Sequence, residues 1–404
     1  MNRSSSGINI VPILIVAVVC IGGGLLISTL TPTLFPVQAS SQAQQIDTLF
    51  QLMLAIGGGL FLLVQGLIYY AAFRFRVKDE NDRSDGPPIH GNNTLEIVWT
   101  AIPAVVVVIL VIYSYSVWVS IETPQQNETT VEVVGRRFAW TFTYTAEDII
   151  DPQTNAPVRF NDPNLYTYVN EALRLQMTAT DVNHAFWVPQ MRIKQDLLVG
   201  RITEMRFTPI LSTDTNGDGI YEMAEAFPLR CAELCGDGHG AMGLVSHVYV
   251  FGSREEYDNW FAQRVNLVLN PPEDPVARGA QILPTYPCSG CHVLTSLGWT
   301  GQSGPNLNGI GDRASRRVAG DSAEEYIVHS IRHPLRYLVP GYAGIMPQFI
   351  EDDPSNANYM SDADLIAITA YLCTQTASGD SACDISTIEE AAAEEVTTSG
   401  MASQ

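Results

Sequence analysis

Three apolar runs, at residues 8–30, 49–73 and 95–118, crowd into the first third of a 404-residue chain, and no comparable run follows. Each approaches the roughly 20 residues that a helix needs to cross a hydrocarbon layer. The chain is therefore divided between lipid and water, which excludes a purely cytosolic enzyme. The second and third runs predict spanning helices. The first has only Arg3 ahead of it and is followed by Val37-Gln38-Ala39 before Ser40, a small-residue ending of the kind signal peptidase cuts, so it is a cleaved leader or a third span. Arg74, Arg76, Lys78 and Arg83 lie between the second and third runs, whereas no Lys or Arg occurs at residues 4–73 or 84–135. The positive-inside rule places that basic loop in the cytoplasm and everything after Trp118 on the opposite side, the periplasm or outer surface of a bacterium.

The remainder is acidic. With 43 Asp and Glu against 22 Lys and Arg, the net charge is −21, which argues against nucleic acid, whose phosphates demand basic surface, and favours a cationic partner. Short β-rich runs separated by turn residues fill residues 129–252 and predict a small β-sandwich or barrel. A helix is expected at 253–269, followed by the linker Asn270-Pro271-Pro272-Glu273-Asp274-Pro275 and then helical sequence with glycine-rich loops. The expected division is a leader or additional helix at 1–39, a transmembrane helical hairpin at 40–120, a β domain at 121–269, a linker at 270–275 and an all-α domain at 276–384. A disordered acidic tail is expected at 385–404, because it is small, acidic and without evident apolar periodicity.

Seven cysteines are too few for a disulfide-built scaffold, and four form two tight pairs. Cys373 and Cys383 are either disulfide partners, if that region is outside the cytoplasm, or free buried thiols. The segment Cys231-Ala-Glu233-Leu-Cys235-Gly-Asp-Gly-His239-Gly-Ala-Met242 sets two thiols, an imidazole and a thioether within twelve residues. Such soft donors select copper, and the methionine speaks against zinc. Three intervening residues let one loop aim both cysteines at a common point, where each thiolate can bridge two ions. One copper still lacks a nitrogen, and His184 in Asp181-Val-Asn-His-Ala-Phe-Trp-Val-Pro189 is the best candidate. His247, outside the motif, reads as a structural histidine.

These two stretches resemble the binuclear copper A site of cytochrome c oxidase subunit II, over residues 48 to about 265. The resemblance implies a cupredoxin-like fold. It makes His184, Cys231, Cys235, His239 and Met242 side-chain copper ligands. Glu233 would offer its carbonyl to copper and its carboxylate to a magnesium or manganese ion beside subunit I. Glu96 matches the family's membrane-surface glutamate that can feed a proton pathway, or is simply an acid favoured at a helix start.

Cys288-Ser-Gly-Cys291-His292 matches the c-type haem attachment pattern, in which thioethers hold the porphyrin and the histidine binds iron. Gly304-Pro305, then Pro340-Gly-Tyr-Ala-Gly-Ile-Met346-Pro347 and a helical stretch at 361–373 follow. That order resembles a class I cytochrome c. By resemblance, Met346 rather than Met360 is the sixth ligand and the Pro305 carbonyl orients His292. His329 and His333 read as surface or haem-edge residues.

The combination is similar to subunit II of a caa-type oxidase: a multi-pass protein of the bacterial plasma membrane whose copper and haem domains face outward. Its expected partners are subunit I, subunit III, a soluble or membrane-bound electron donor and the lipid bilayer. The oxygen-reducing site would lie on subunit I. The alternatives are the copper A subunit of a nitric oxide reductase and a free-standing membrane electron carrier. The segment Gly135-Arg-Arg-Phe138-Ala-Trp140 has phenylalanine where the family usually carries the electron-entry tryptophan. A further departure is Asp214-Thr-Asn216-Gly-Asp218-Gly219-Ile220-Tyr-Glu222-Met-Ala-Glu225, which is either an EF-hand-like calcium loop using Asp214, Asn216, Asp218, the Ile220 carbonyl and Glu225, or an Asp/Gly-rich surface turn.

Overall fold

The computed structural model describes residues 10–77, 91–350 and 358–402. It divides into two units, Met1–Thr123 and Pro124–Gln404. Lys78 and Arg83 of the basic loop lie outside the described residues.

In the first unit the apolar runs become α1 (Ile10–Leu30), α2 (Ser41–Arg74) and α3 (Asn93–Glu122), each long and apolar enough to cross a membrane. α2 begins well before its apolar run because the Ser40 hydroxyl accepts the Ala43 amide and caps an added polar turn. α1 packs on α2 through glycines. A Cβ placed on Gly24 would lie 2.2 Å from the Ala55 carbonyl oxygen and 2.9 Å from the Gly59 nitrogen. Lipid supplies no hydrophobic drive between helices, so such backbone-to-backbone approach is what holds them. Glu96 sits in the first turn of α3, where its carboxylate accepts the Asn92 amide at 3.2 Å.

The second unit opens with a five-stranded sheet in the order β3-β2-β1-β5-β8, built from β1 (Thr129–Arg136), β2 (Ala139–Asp151), β3 (Ala156–Asp162), β5 (Leu173–Ala179) and β8 (Thr203–Phe207). Two three-stranded sheets complete the domain. One joins β4 (Leu165–Tyr168), β11 (His247–Phe251) and β9 (Phe227–Pro228), and the other joins β10 (Arg230–Cys231), β6 (His184–Val188) and β7 (Ile193–Leu197). The inward alternation of β1 and β5 brings Val131, Val133, Leu173, Leu175 and Met177 into a core with Trp140, Phe142 and Phe186. β1 and β5 run parallel, an arrangement that a chain of hairpins would not produce. α5 (Arg254–Leu269) starts at a capping box between Ser253 and Glu256.

The all-α part begins at α6 (Pro275–Ile282), capped by Asp274. The small strands β12 (Val293–Leu294) and β13 (Trp299–Thr300), α7 (Ile310–Arg313), α8 (Ala323–Arg332) and α9 (Asp362–Cys373) follow. α6 crosses α9 so closely that a Cβ on Gly279 would lie 2.0 Å from the Ala367 carbonyl oxygen. Cys373 and Cys383 form a disulfide.

One expectation is corrected. Residues 385–402 are helical, as α10 (Ile385–Ala402), in place of a disordered tail. Asp384 caps the helix by accepting the Ser386 amide at 2.9 Å. Ile388, Ala391 and Ala392 are spaced for one helical face and are buried in the same core as α8 and α9. Composition hid this face because two of its three anchors are alanines. Replacing Ile388, 1% exposed, with alanine is expected to cost about 2–5 kcal/mol. Denaturant titration of the purified protein followed by far-ultraviolet circular dichroism measures it.

Candidate metal and haem sites

The first cluster is assembled by strand pairing. β6 and β10 run antiparallel with Cys231 opposite Phe186, which carries Cys231 to within one strand step of His184. The Ala232 amide donates to the Ala185 carbonyl at 2.9 Å and locks that register. The loop after β10 then returns Cys235, His239 and Met242, the last at the start of α4 (Met242–Val245).

His184, Cys231 and Cys235 are buried, with their donor atoms all within 4.8 Å of one another. His184 Nδ1 lies 3.8 Å from Cys231 Sγ, and His239 Nδ1 lies 3.5 Å from Cys235 Sγ. Met242 Sδ is 3.4 Å from Cys235 Sγ. The Cys231 thiol donates to the Glu233 carbonyl at 3.1 Å, so that oxygen also faces the cluster while the Glu233 residue is exposed. Every donor type needed for a sulfur-bridged copper pair therefore converges here, and the two cysteines are not joined to each other.

Burial raises the pKa of both thiols, and their neighbours then separate them. At Cys231 the effect of burial is outweighed by hydrogen bonds from His184 and the Ala185 backbone, which bring the thiol down to about 7. Cys235 is pushed up to about 12, by burial first and then by the adjacent Cys231.

Asp181, which the sequence reading quoted without assigning it a role, accepts from His184 Nε2 at 3.0 Å. That bond fixes the ring so that Nδ1 points at sulfur. Phe138 packs over the copper loop, and a Cβ on Gly238 would lie 2.5 Å from its ring. His247 stands apart from the cluster in β11, its backbone amide donating to Asn164 Oδ1 at 2.9 Å.

The second site is an apolar cleft in the helical part, walled by Leu283, Leu307, Ile327 and Ile331 and bearing Cys288, His292 and Met346. His292 Nδ1 donates to the Pro305 carbonyl at 2.7 Å, leaving Nε2 with its lone pair for iron. Burial lowers the His292 pKa, against the Pro305 hydrogen bond, and a neutral imidazole is the ligating form.

Gly304 lies against the imidazole, where a Cβ would come within 2.8 Å of the ring. Cys288 and Cys291 are unpaired. Arg317 lines the cleft with a buried Nε that has no acceptor, a cation suited to a haem carboxylate; nothing local in the sequence marked it. Met346 lines the cleft and also a smaller pocket that shares Cys288 and His292 with it, whereas Met360 lines only the first. His329 pairs with Asp321 at 3.2 Å, and His333 lines the cleft between the β and helical parts.

The Asp214–Glu225 segment forms a loop between β8 and β9 without flanking helices. The Asp214 carboxylate accepts the Gly217 amide at 2.7 Å and the Gly219 amide at 3.0 Å. Glu225 Oε2 is buried without a donor.

Replacing Asp181 with asparagine is expected to weaken copper retention about 10–100-fold, the usual cost of losing the group that orients a ligating histidine. Metal analysis after graded chelation measures it, with His247→Gln as the control that retains copper.

Three family models match the chain in order: the transmembrane domain of cytochrome c oxidase subunit II at residues 28–117, its periplasmic domain at 129–248, and cytochrome c at 276–376. Cytochrome c oxidase subunit 2 of Synechocystis is 34% identical over 57% of this chain and 75% of its own length. The protein of the same name from Alkalihalophilus pseudofirmus is 29% identical over 82% of this chain and 87% of its own. The periplasmic domain of subunit II of cytochrome oxidase from Bradyrhizobium japonicum is 24% identical, covering 35% of this chain and 95% of that one with a TM-score of 0.26. The ordered matches and the extent of the Synechocystis likeness lead to one conclusion: the chain belongs to the cytochrome c oxidase subunit II family and carries a fused C-terminal cytochrome c domain.

Proposed function

We propose that this chain is the electron-entry subunit of a respiratory terminal oxidase. It takes electrons from an external donor at a c-type haem, passes them to binuclear copper A and delivers them to subunit I, where oxygen is reduced to water with proton translocation. The observation that carries this reading is the presence of both donor sets, the sulfur–imidazole cluster and the His292–Met346 cleft, within one compact unit. When bound, both groups supply reversible one-electron chemistry without needing an open coordination position.

The chain's own residues make that chemistry easy to repeat. His184, Cys231, Cys235, His239, Met242 and the Glu233 carbonyl would hold copper, with Asp181 fixing one imidazole. A buried position on paired strands keeps water away and leaves the ligands little room to rearrange between charge states. Cys288 and Cys291 would anchor the haem, and His292 and Met346 would hold its iron, with Pro305 fixing the histidine. Because the two sites share a chain, the local concentration of one toward the other is set by the tether, so that Phe138 could replace the family's usual entry tryptophan.

Four finer assignments accompany this reading. The exposed Glu233 carboxylate suits magnesium or manganese beside subunit I, subunit III accompanies subunit I, and the donor is a soluble or membrane-bound electron carrier. The Asp214–Glu225 loop suits calcium, with oxygens at its first, third, fifth and twelfth positions and glycine at the sixth.

Two experiments test these readings. In the complex purified from native membranes, haem-to-copper transfer after rapid reduction is expected to be fast and independent of protein concentration. Oxygen uptake is expected as the terminal reaction, and nitric oxide consumption in its place would overturn it. For the loop, calorimetry is expected to show one calcium bound per chain and none in Asp218→Ala; no binding to the wild-type chain leaves the loop a surface turn.

A further inference from the structure

The haem-attachment turn is seated directly on the copper loop. A Cβ added to Gly290, inside Cys288-Ser-Gly-Cys291, would lie 2.1 Å from Val245 Cγ1 and 2.2 Å from Val245 Cα. Backbone thus meets backbone, and only glycine leaves the room. Ser289 and Val245 are 8% and 2% exposed, so the turn is covered at this point. It is also held from behind. A Cβ on Gly301 would lie 2.7 Å from the carbonyl carbons of Gly290 and Cys291, so the turn has no space into which to retreat from Val245.

Val245 ends α4, the single helical turn that begins at the copper-ligand candidate Met242. From that methionine the path continues 3.4 Å to Cys235 Sγ. Leu267 of α5 also packs against the helical core. On the Met346 side, an open polar cleft lies between Phe138 and Gly236 of the copper domain and Ile345 and Pro347 of the haem domain.

We infer that Gly290 and Val245 form the electron-transfer contact between the haem and the copper pair, with Gly290 as the positioning residue that permits it. The inference rests on the relay reading above. The step moves one electron: the iron held by His292 and Met346 loses it, the copper pair held by Cys231 and Cys235 gains it, and no bond is made or broken. The route runs from the thioether-bearing turn through Gly290, across the contact to Val245, and along α4 to Met242. It avoids the open cleft beside Phe138, through which the electron would have to cross solvent.

The test uses the intact complex with Gly290→Val, and with Val245→Trp as a wedge from the copper side that leaves the attachment turn unaltered. Optical spectra and metal analysis first establish that haem and copper are both present. Transfer from haem to copper after rapid reduction is expected to slow by an order of magnitude or more in both variants, while Leu335→Ala, at an exposed residue lining the open cleft, keeps the wild-type rate. Amide hydrogen exchange reads the same contact with no electron moving. Residues 242–246 and 288–291 are expected to be protected together in the wild type and to lose protection together in Gly290→Val. Wild-type rates in both wedge variants with both centres intact overturn the contact, and so does a slowed Leu335→Ala beside unaffected wedges. Absence of haem-to-copper transfer in the wild type itself instead removes the relay reading.

Discussion

Two buried thiols a few ångströms apart cannot both give up their protons in an apolar interior, because the second negative charge would face the first with little solvent between them. Burial, with Cys231 adding to it, pushes Cys235 up to about 12, while hydrogen bonds from His184 and the backbone bring Cys231 down to about 7. Cations shared between the sulfurs resolve that conflict. The β domain can be understood as the frame that maintains the conflict until they arrive: β6 and β10 fix one cysteine and one histidine by register, and a short loop returns the remaining donors. A looser frame would let the sulfurs separate or join, and either change would abolish the site.

Much of this was legible in the residues, and for identifiable reasons. Donor atoms are chemically explicit, so the Cys231–Met242 segment and the Cys288–His292 segment offered their candidate ligands, and His184, put forward for the missing nitrogen, lies beside Cys231 and Cys235. Membrane helices were legible because length and apolarity are one-dimensional properties. What stayed hidden depends on residues far apart in sequence. Asp181 matters only because His184 turns its Nε2 toward it, and Arg317 because its side chain reaches the cleft. The parallel pairing of β1 with β5 leaves no local mark. α10 was misjudged because alanines at helical spacing look like filler until a partner face exists.

The domain boundary follows the same logic. Sheet gives way to helix at α5 (Arg254–Leu269), ahead of the proline-rich segment at which a change of domain was expected. Yet the two parts belong to one compact unit, and at Gly290 their contact is made by glycine backbone against Val245, which carries no hydrophobic signature. Gly279, Gly290, Gly301 and Gly304 each allow an approach that a side chain would block. In this helical domain glycine acts as an absence that other groups occupy.

The cysteine inventory has a consequence for how the molecule is made. Six of its seven cysteines lie beyond the membrane helices, on the side of the membrane where thiols oxidise, and only Cys373 and Cys383 are joined. Copper and haem both require reduced sulfur, whereas this bridge requires its oxidation, in the same compartment and on the same polypeptide. Maturation must therefore be ordered in time: either an exported reducing system shields the two reactive pairs, or the metal and porphyrin arrive before an oxidant scrambles them.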